Sequence, residues 1–73
     1  MMDLVYKKTG ETVEIGDMAE IGRGETVKVI GIEKPHKPSS TGRVYVQFDN
    51  EVDSSYFPSV IGAHWINRED QNG

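Results

Sequence analysis

The chain has no cysteine in 73 residues. No disulfide can close the fold, and no thiolate-based zinc centre can form. It has one tryptophan, two phenylalanines and three prolines, so large core-filling side chains are scarce. No apolar run approaches the ~20 residues that a membrane-spanning helix needs, and no membrane partner is expected. Met1-Met2-Asp3-Leu4-Val5 has neither a basic stretch nor a long apolar core, so a secretory signal is not expected. A basic excess is also missing. The formal net charge is −4, which weighs against a dedicated duplex-DNA binder. The acids are too few and too irregular for a mimic of DNA.

Short β-prone runs punctuated by turn residues make up the chain. Leu4-Val5-Tyr6 closes at Thr9-Gly10, Val13-Glu14-Ile15 at Gly16-Asp17, and the weaker Met18-Ala19-Glu20-Ile21 at Gly22-Arg23-Gly24. Two runs are strong. In Thr26-Val27-Lys28-Val29-Ile30-Gly31-Ile32, Val27 and Val29 share one face and Thr26 and Lys28 the other, the period of a half-buried strand. Ile30 breaks that alternation beside Gly31, and a bulge there would return Ile32 to the core. In Arg43-Val44-Tyr45-Val46-Gln47-Phe48, the residues Val44, Val46 and Phe48 face one way and Arg43, Tyr45 and Gln47 the other. Asp49-Asn50-Glu51 supplies a polar turn. Ser55-Tyr56-Phe57 begins a further strand, which Pro58 stops. The segment 59–62 reads as a tight turn or one 3₁₀ turn, and His64-Trp65-Ile66 as a closing strand.

This spacing predicts an all-β fold, a small antiparallel barrel with no helix longer than about two turns. A single domain over 1–66 and a frayed polar tail over 67–73 are expected. The expected core is Val13, Ile15, Val27, Val29, Ile32, Val44, Val46, Phe48, Val60 and Ile66. Trp65 is expected to plug an open end of the barrel. Residues 33–42 carry no pattern, and a loop this long in so small a domain is a candidate for function. Pro35 and Pro38 would hold it partly extended.

No constellation for catalysis is visible. No serine lies in a nucleophile elbow. Gly22-Arg23-Gly24 is too short for a phosphate loop and precedes a strand. Asp49, Glu51 and Asp53 are accounted for by a turn. His36 and His64 lack metal-ligand spacing. Neither an enzyme, a metal nor a cofactor is expected.

Charge is unevenly placed. Glu11, Glu14, Asp17, Glu20 and Glu25 oppose Arg23 alone, while Lys34, His36, Lys37 and Arg43 lie in a stretch without an acid. Solvated faces and turns explain such runs; a basic loop beside acidic edges would also suit a polar protein surface. Tyr45, beside Arg43 on an outward face, is a candidate anchor.

Ile15-Gly16-Asp17, then Glu25-Thr26-Val27-Lys28-Val29-Ile30-Gly31-Ile32, then Gly42-Arg43-Val44-Tyr45-Val46-Gln47-Phe48-Asp49 resembles SH3-like barrels of the KOW and Tudor kind, over roughly 13–66. The chain lacks the basic excess usual in nucleic-acid-binding KOW modules and the acidic and aromatic motifs of proline-binding SH3 domains. Ser39-Ser40-Thr41-Gly42-Arg43-Val44-Tyr45-Val46, with Tyr56-Phe57-Pro58-Ser59-Val60-Ile61-Gly62-Ala63-His64-Trp65, is similar in style to small proteins encoded by tailed bacteriophages and prophages. That resemblance implies an accessory protein acting in the host cytoplasm. Some phage proteins of this size bind the host RNA polymerase and redirect or inhibit transcription. The resulting expectation is a non-enzymatic protein-binding module, with bacterial RNA polymerase as its partner and Lys34, His36, Lys37, Arg43 and Tyr45 as its contacts. A nucleic-acid-binding SH3/KOW-like module ranks second, and a small phage structural or assembly component third.

Overall fold

β-branched residues fill the two longest alternating runs, and these become the centre of the molecule. The computed structural model describes residues 2–22, 24–37 and 40–67. Six strands are present: β1 (Met2–Tyr6), β2 (Met18–Ile21), β3 (Glu25–Glu33), β4 (Arg43–Gln47), β5 (Asp53–Tyr56) and β6 (Ala63–Asn67). They pair antiparallel as a four-stranded sheet in the order β2-β3-β4-β5 and a two-stranded sheet β1-β6. A single 3₁₀ turn, Pro58–Ile61, joins β5 to β6, and the described residues contain no α-helix. The fold is all-β, as the turn spacing predicts. β6 runs to Asn67, which pairs with Met2, so position 67, expected in the tail, belongs to a strand. The remainder of that tail, 68–73, lies outside the described residues, as do Arg23, Pro38 and Ser39.

Both sheets contribute to one core. Val27, Val29, Val44 and Val46 are the largest fully buried side chains, and Leu4, Val13, Ala19, Ile21, Ile61 and Ala63 complete the cluster. The period-2 reading of β3 and β4 holds at Thr26, Lys28, Arg43 and Tyr45, which are exposed, while Gln47 at the end of β4 is half-buried. The register between β3 and β4 shifts between Val29 and Gly31. That bulge brings Ile32 back against the core. A Cβ on Gly31 would stand 3.2 Å from the Tyr45 ring, so the absence of a side chain lets the ring lie over the bulge.

Two expected core residues are solvent-facing. Ile15 is 61% exposed and Val60 38%. Alternation carries Ile15 inward only while the backbone stays extended, and it does not. The Glu14 N–H donates to the Asp17 carboxylate at 3.0 Å and the Asp17 N–H to the Glu14 carbonyl at 3.0 Å. This side-chain-closed turn places Ile15 at its tip. The run 13–15 is consequently not a strand; Val13 instead bonds to the Leu4 carbonyl beside an isolated Val5–Thr12 bridge. Val60 is turned out by the three-residue period of the 3₁₀ turn, which buries Pro58 and Ile61 on one face. Ile66 and Phe48 are half-buried; Phe48 meets Tyr56 edge-on with ring centroids 6.5 Å apart.

The Asp17 turn is also tied to β1. The Tyr6 hydroxyl donates to Asp17 Oδ2 at 2.9 Å. Burial first, then the hydrogen bond and negative charge of Asp17, push the Tyr6 phenol up from 10.0 to about 12. The folded state therefore holds this proton where the unfolded chain has lost it. The contribution is fully present below about pH 10 and is lost as pH rises from about 10 toward 12. Tyr6→Phe is expected to flatten the alkaline limb of a stability-versus-pH curve measured by urea unfolding.

Facing within β4 sets the second expectation. Val46→Ala deletes fully buried methyl groups and is expected to cost about 1–3 kcal/mol. Gln47→Ala, on the opposite face, is expected to cost much less. Equal urea midpoint shifts would contradict this packing.

Candidate functional site

The loop between β3 and β4 is held from beneath. Trp65 on β6 donates its Nε1–H to the Thr41 carbonyl at 2.6 Å. Gly42, buried with φ 67°, sits so close to its neighbours that a Cβ would collide with the Glu33 carbonyl and stand 3.1 Å from Trp65 Cζ2 and 3.2 Å from Pro35 Cδ. Trp65 is half-buried and packs against the core. Its ring and indole N–H thus seat the loop on the two-stranded sheet, rather than only plugging an end of the fold.

Beside this anchor lies an open cleft of about 680 Å³. Trp65, Phe57, Pro35 and Pro58 supply its apolar surface, and Lys7, His36, Lys37 and His64 its cationic and imidazole groups. Phe57 is 52% exposed, too exposed to serve as core. A second hollow of about 410 Å³ adjoins it, lined by Lys34, His36, Arg43, Phe57 and Glu33 among others. The Arg43 guanidinium stands 5.0 Å from the centroid of the Phe57 ring, within the range of a cation–π contact. The chain carries 12 acids against 8 Lys and Arg. Yet Lys7, Lys34, Lys37 and Arg43 gather at these two hollows, where Glu33 is the one acid among the described residues.

Glu33 organises the near side. Tyr45 donates its hydroxyl to Glu33 Oε1 at 2.7 Å, and His36 Nε2 lies 3.2 Å from Glu33 Oε2. The Tyr45 hydrogen bond, then that of His36, holds the Glu33 carboxyl below its usual range. The same hydrogen bond raises the Tyr45 phenol. Both groups are solvent-facing, so this network sets side-chain orientation more than stability.

Of the five expected contact residues, the structure brings Lys34, His36 and Arg43 to one hollow, and His36 and Lys37 to the larger cleft. Tyr45 lies apart. Its ring covers Gly31 and faces a shallow depression with Ile30 and Asp53, Ser54 and Ser55, and only its hydroxyl reaches the loop, through Glu33. Lys7, His64, Phe57 and Trp65 belong to the cleft and are absent from the expected set. Register explains the arrival of Lys7, His64 and Trp65: β1 pairs with β6, setting Val5 opposite His64 and Leu4 opposite Trp65, and the Lys7 N–H donates to the Gly62 carbonyl. Among the described residues, no group of three or more His, Asp or Glu is placed to hold a metal ion, and no helix is long and apolar enough to cross a membrane.

Compared with protein families, curated proteins and solved structures, the chain finds no match in any of the three.

Proposed function

We propose that this chain is a non-enzymatic, SH3-like protein-binding module that docks a partner in the cleft that Pro35, His36, Lys37 and Thr41 form with Phe57 and Trp65. The observation that carries this reading is the exposed Phe57 ring, capped by Arg43 at 5.0 Å and set beside Trp65 in an open cleft. Aromatic rings with arginine are the usual energetic anchors of protein interfaces. Trp65 and Gly42 fix Thr41 and Pro35 against the two-stranded sheet before a partner arrives, which lowers the ordering cost of binding for these residues. Bacterial RNA polymerase stands first among partners to test, on the resemblance in style to small phage-encoded proteins, some of which bind that enzyme.

A nucleic-acid-binding reading draws on the same gathering of Lys7, Lys34, Lys37 and Arg43. It ranks second because the chain as a whole is acidic and one face of Phe57 is already occupied by Arg43. Affinity pull-down from a bacterial lysate, with and without nuclease and with mass-spectrometric identification, separates the two. The protein-binding reading expects a partner retained after nuclease and lost with Phe57→Ala. Recovery abolished by nuclease, with affinity falling steeply as salt rises, would transfer the cleft to nucleic acid.

A further inference from the structure

We infer that the occupant of the cleft is a short acidic peptide segment bearing one bulky apolar side chain. This rests on the protein-binding reading above and specifies the partner's chemistry. Two observations combine. The walls are apolar: Trp65, Phe57, Pro35 and Pro58 face a space of about 680 Å³, large enough for one or two side chains and well inside the range of ligand pockets. The polar groups are of one sign. Lys7 from the end of β1 and Lys37 from the loop border that space with His36 and His64, and no Asp or Glu among the described residues lines it. In a chain of net charge −4, this concentration of cations makes the cleft unlike the rest of the molecule. A neutral apolar segment would leave Lys7 and Lys37 unpaired beside it. A basic segment would be repelled there and drawn instead to the acidic residues 11–25. Carboxylates flanking an aromatic or leucine side chain satisfy walls and rim together.

The second hollow extends the same recognition. Lys34 and Arg43 border it together with Glu33, whose two carboxylate oxygens are engaged by Tyr45 and His36, and Phe57 lines both spaces, so carboxylates a few residues from the apolar anchor would meet Lys34 and Arg43. Stacked bases fit less well. The Trp65 N–H is committed to Thr41 and its ring edge lies against Gly42, while Arg43 stands over Phe57. Neither ring is free on all sides as an extended stacking platform requires.

Trp65 is the only tryptophan in the chain and lines the cleft, so its fluorescence reports occupancy directly. The probes are pools of eight-residue peptides without Trp or Tyr. The first pool has three Asp or Glu around one Phe or Leu in scrambled order. The second has Asn and Gln in place of the acids, the third Lys, and a thymidine oligonucleotide is the fourth probe. The acidic pool is expected to change Trp65 emission saturably, and at least about tenfold lower concentration should suffice than for the neutral pool. Lys7→Glu with Lys37→Glu should abolish that preference. Lys28→Glu, an exposed charge on the outer face of β3, should leave it unchanged. Equal response to acidic and neutral pools, no response to either, or a stronger response to the oligonucleotide would each overturn the inference. If acidic peptides fail while the partner caught from lysate still requires Phe57, the protein-binding reading stands and this specification of its partner falls.

Discussion

Gly42→Ala is expected to lower stability by about 2–4 kcal/mol, Gly42 being the one described glycine whose added Cβ would meet backbone. Two independent costs add. At φ 67° an alanine backbone is held in the left-handed region, at about 1 kcal/mol. The new methyl also meets the Glu33 carbonyl, Trp65 and Pro35 at once. Glu33 is backbone of β3 paired to Arg43, so it cannot move aside without opening the register. Gly10→Ala separates the terms: its φ is 75°, but nothing lies within 4 Å of the added carbon. It should cost only the conformational part. In Gly42→Ala, Trp65 emission should also shift to the red as the loop lifts from the indole, and in Gly10→Ala it should not. Similar melting temperatures for the two variants would show that the loop is not seated on Trp65 as described.

Phe57→Ala is expected to produce the largest loss of partner binding, by at least about tenfold, with a stability cost of about 1 kcal/mol or less. Phe57 is 52% exposed and lies outside the core cluster, so its removal strips little from the core. It does remove a wall common to both hollows and the platform beneath Arg43. Arg43→Ala should weaken the same partner by about 1–2 kcal/mol, because the planar guanidinium is lost from a site that Phe57 orients. Tyr45→Ala should have a smaller effect on binding than Arg43→Ala. Its ring serves the Gly31 bulge, and it touches the loop only through Glu33. A binding isotherm beside a thermal melt for each variant checks all three. An unchanged isotherm for Phe57→Ala would remove the cleft from consideration.

How much of this was legible from residue order depends on which interactions are local. The inward face of Val44 and Val46 and the bulge at Gly31 follow from a two-residue period that acts over neighbouring positions. The fate of Ile15 does not. It turns on the Asp17 carboxylate capturing the Glu14 N–H, a competition between a side chain and strand pairing that apolar alternation does not register. Asp17 at the end of the run carried that signal. Val60 turns outward because a three-residue period replaces a two-residue one after Pro58, and the proline itself marks the change. The cleft was half legible. Its basic loop shows as an acid-free stretch around Lys34, His36 and Lys37. The other wall depends on pairing between β1 and β6, strands from opposite ends of the chain, and on Trp65 reaching Thr41 across 24 residues. Neither Lys7 nor His64 carries a local mark of that meeting. The exposure of Phe57 follows from its place between the end of β5 and the 3₁₀ turn, where Pro58 rather than Phe57 is the buried residue.

The most direct test of the cleft as a protein-docking site is amide and indole shift mapping by nuclear magnetic resonance, with the protein recovered by pull-down as titrant. Shifts concentrated on Lys34, His36, Lys37, Arg43, Phe57 and the Trp65 indole N–H, with Met18 and Glu20 on the outer face of β2 unmoved, are the predicted result. Shifts concentrated instead on the acidic edge from Glu11 to Glu25, with the Trp65 indole N–H unmoved, would contradict it.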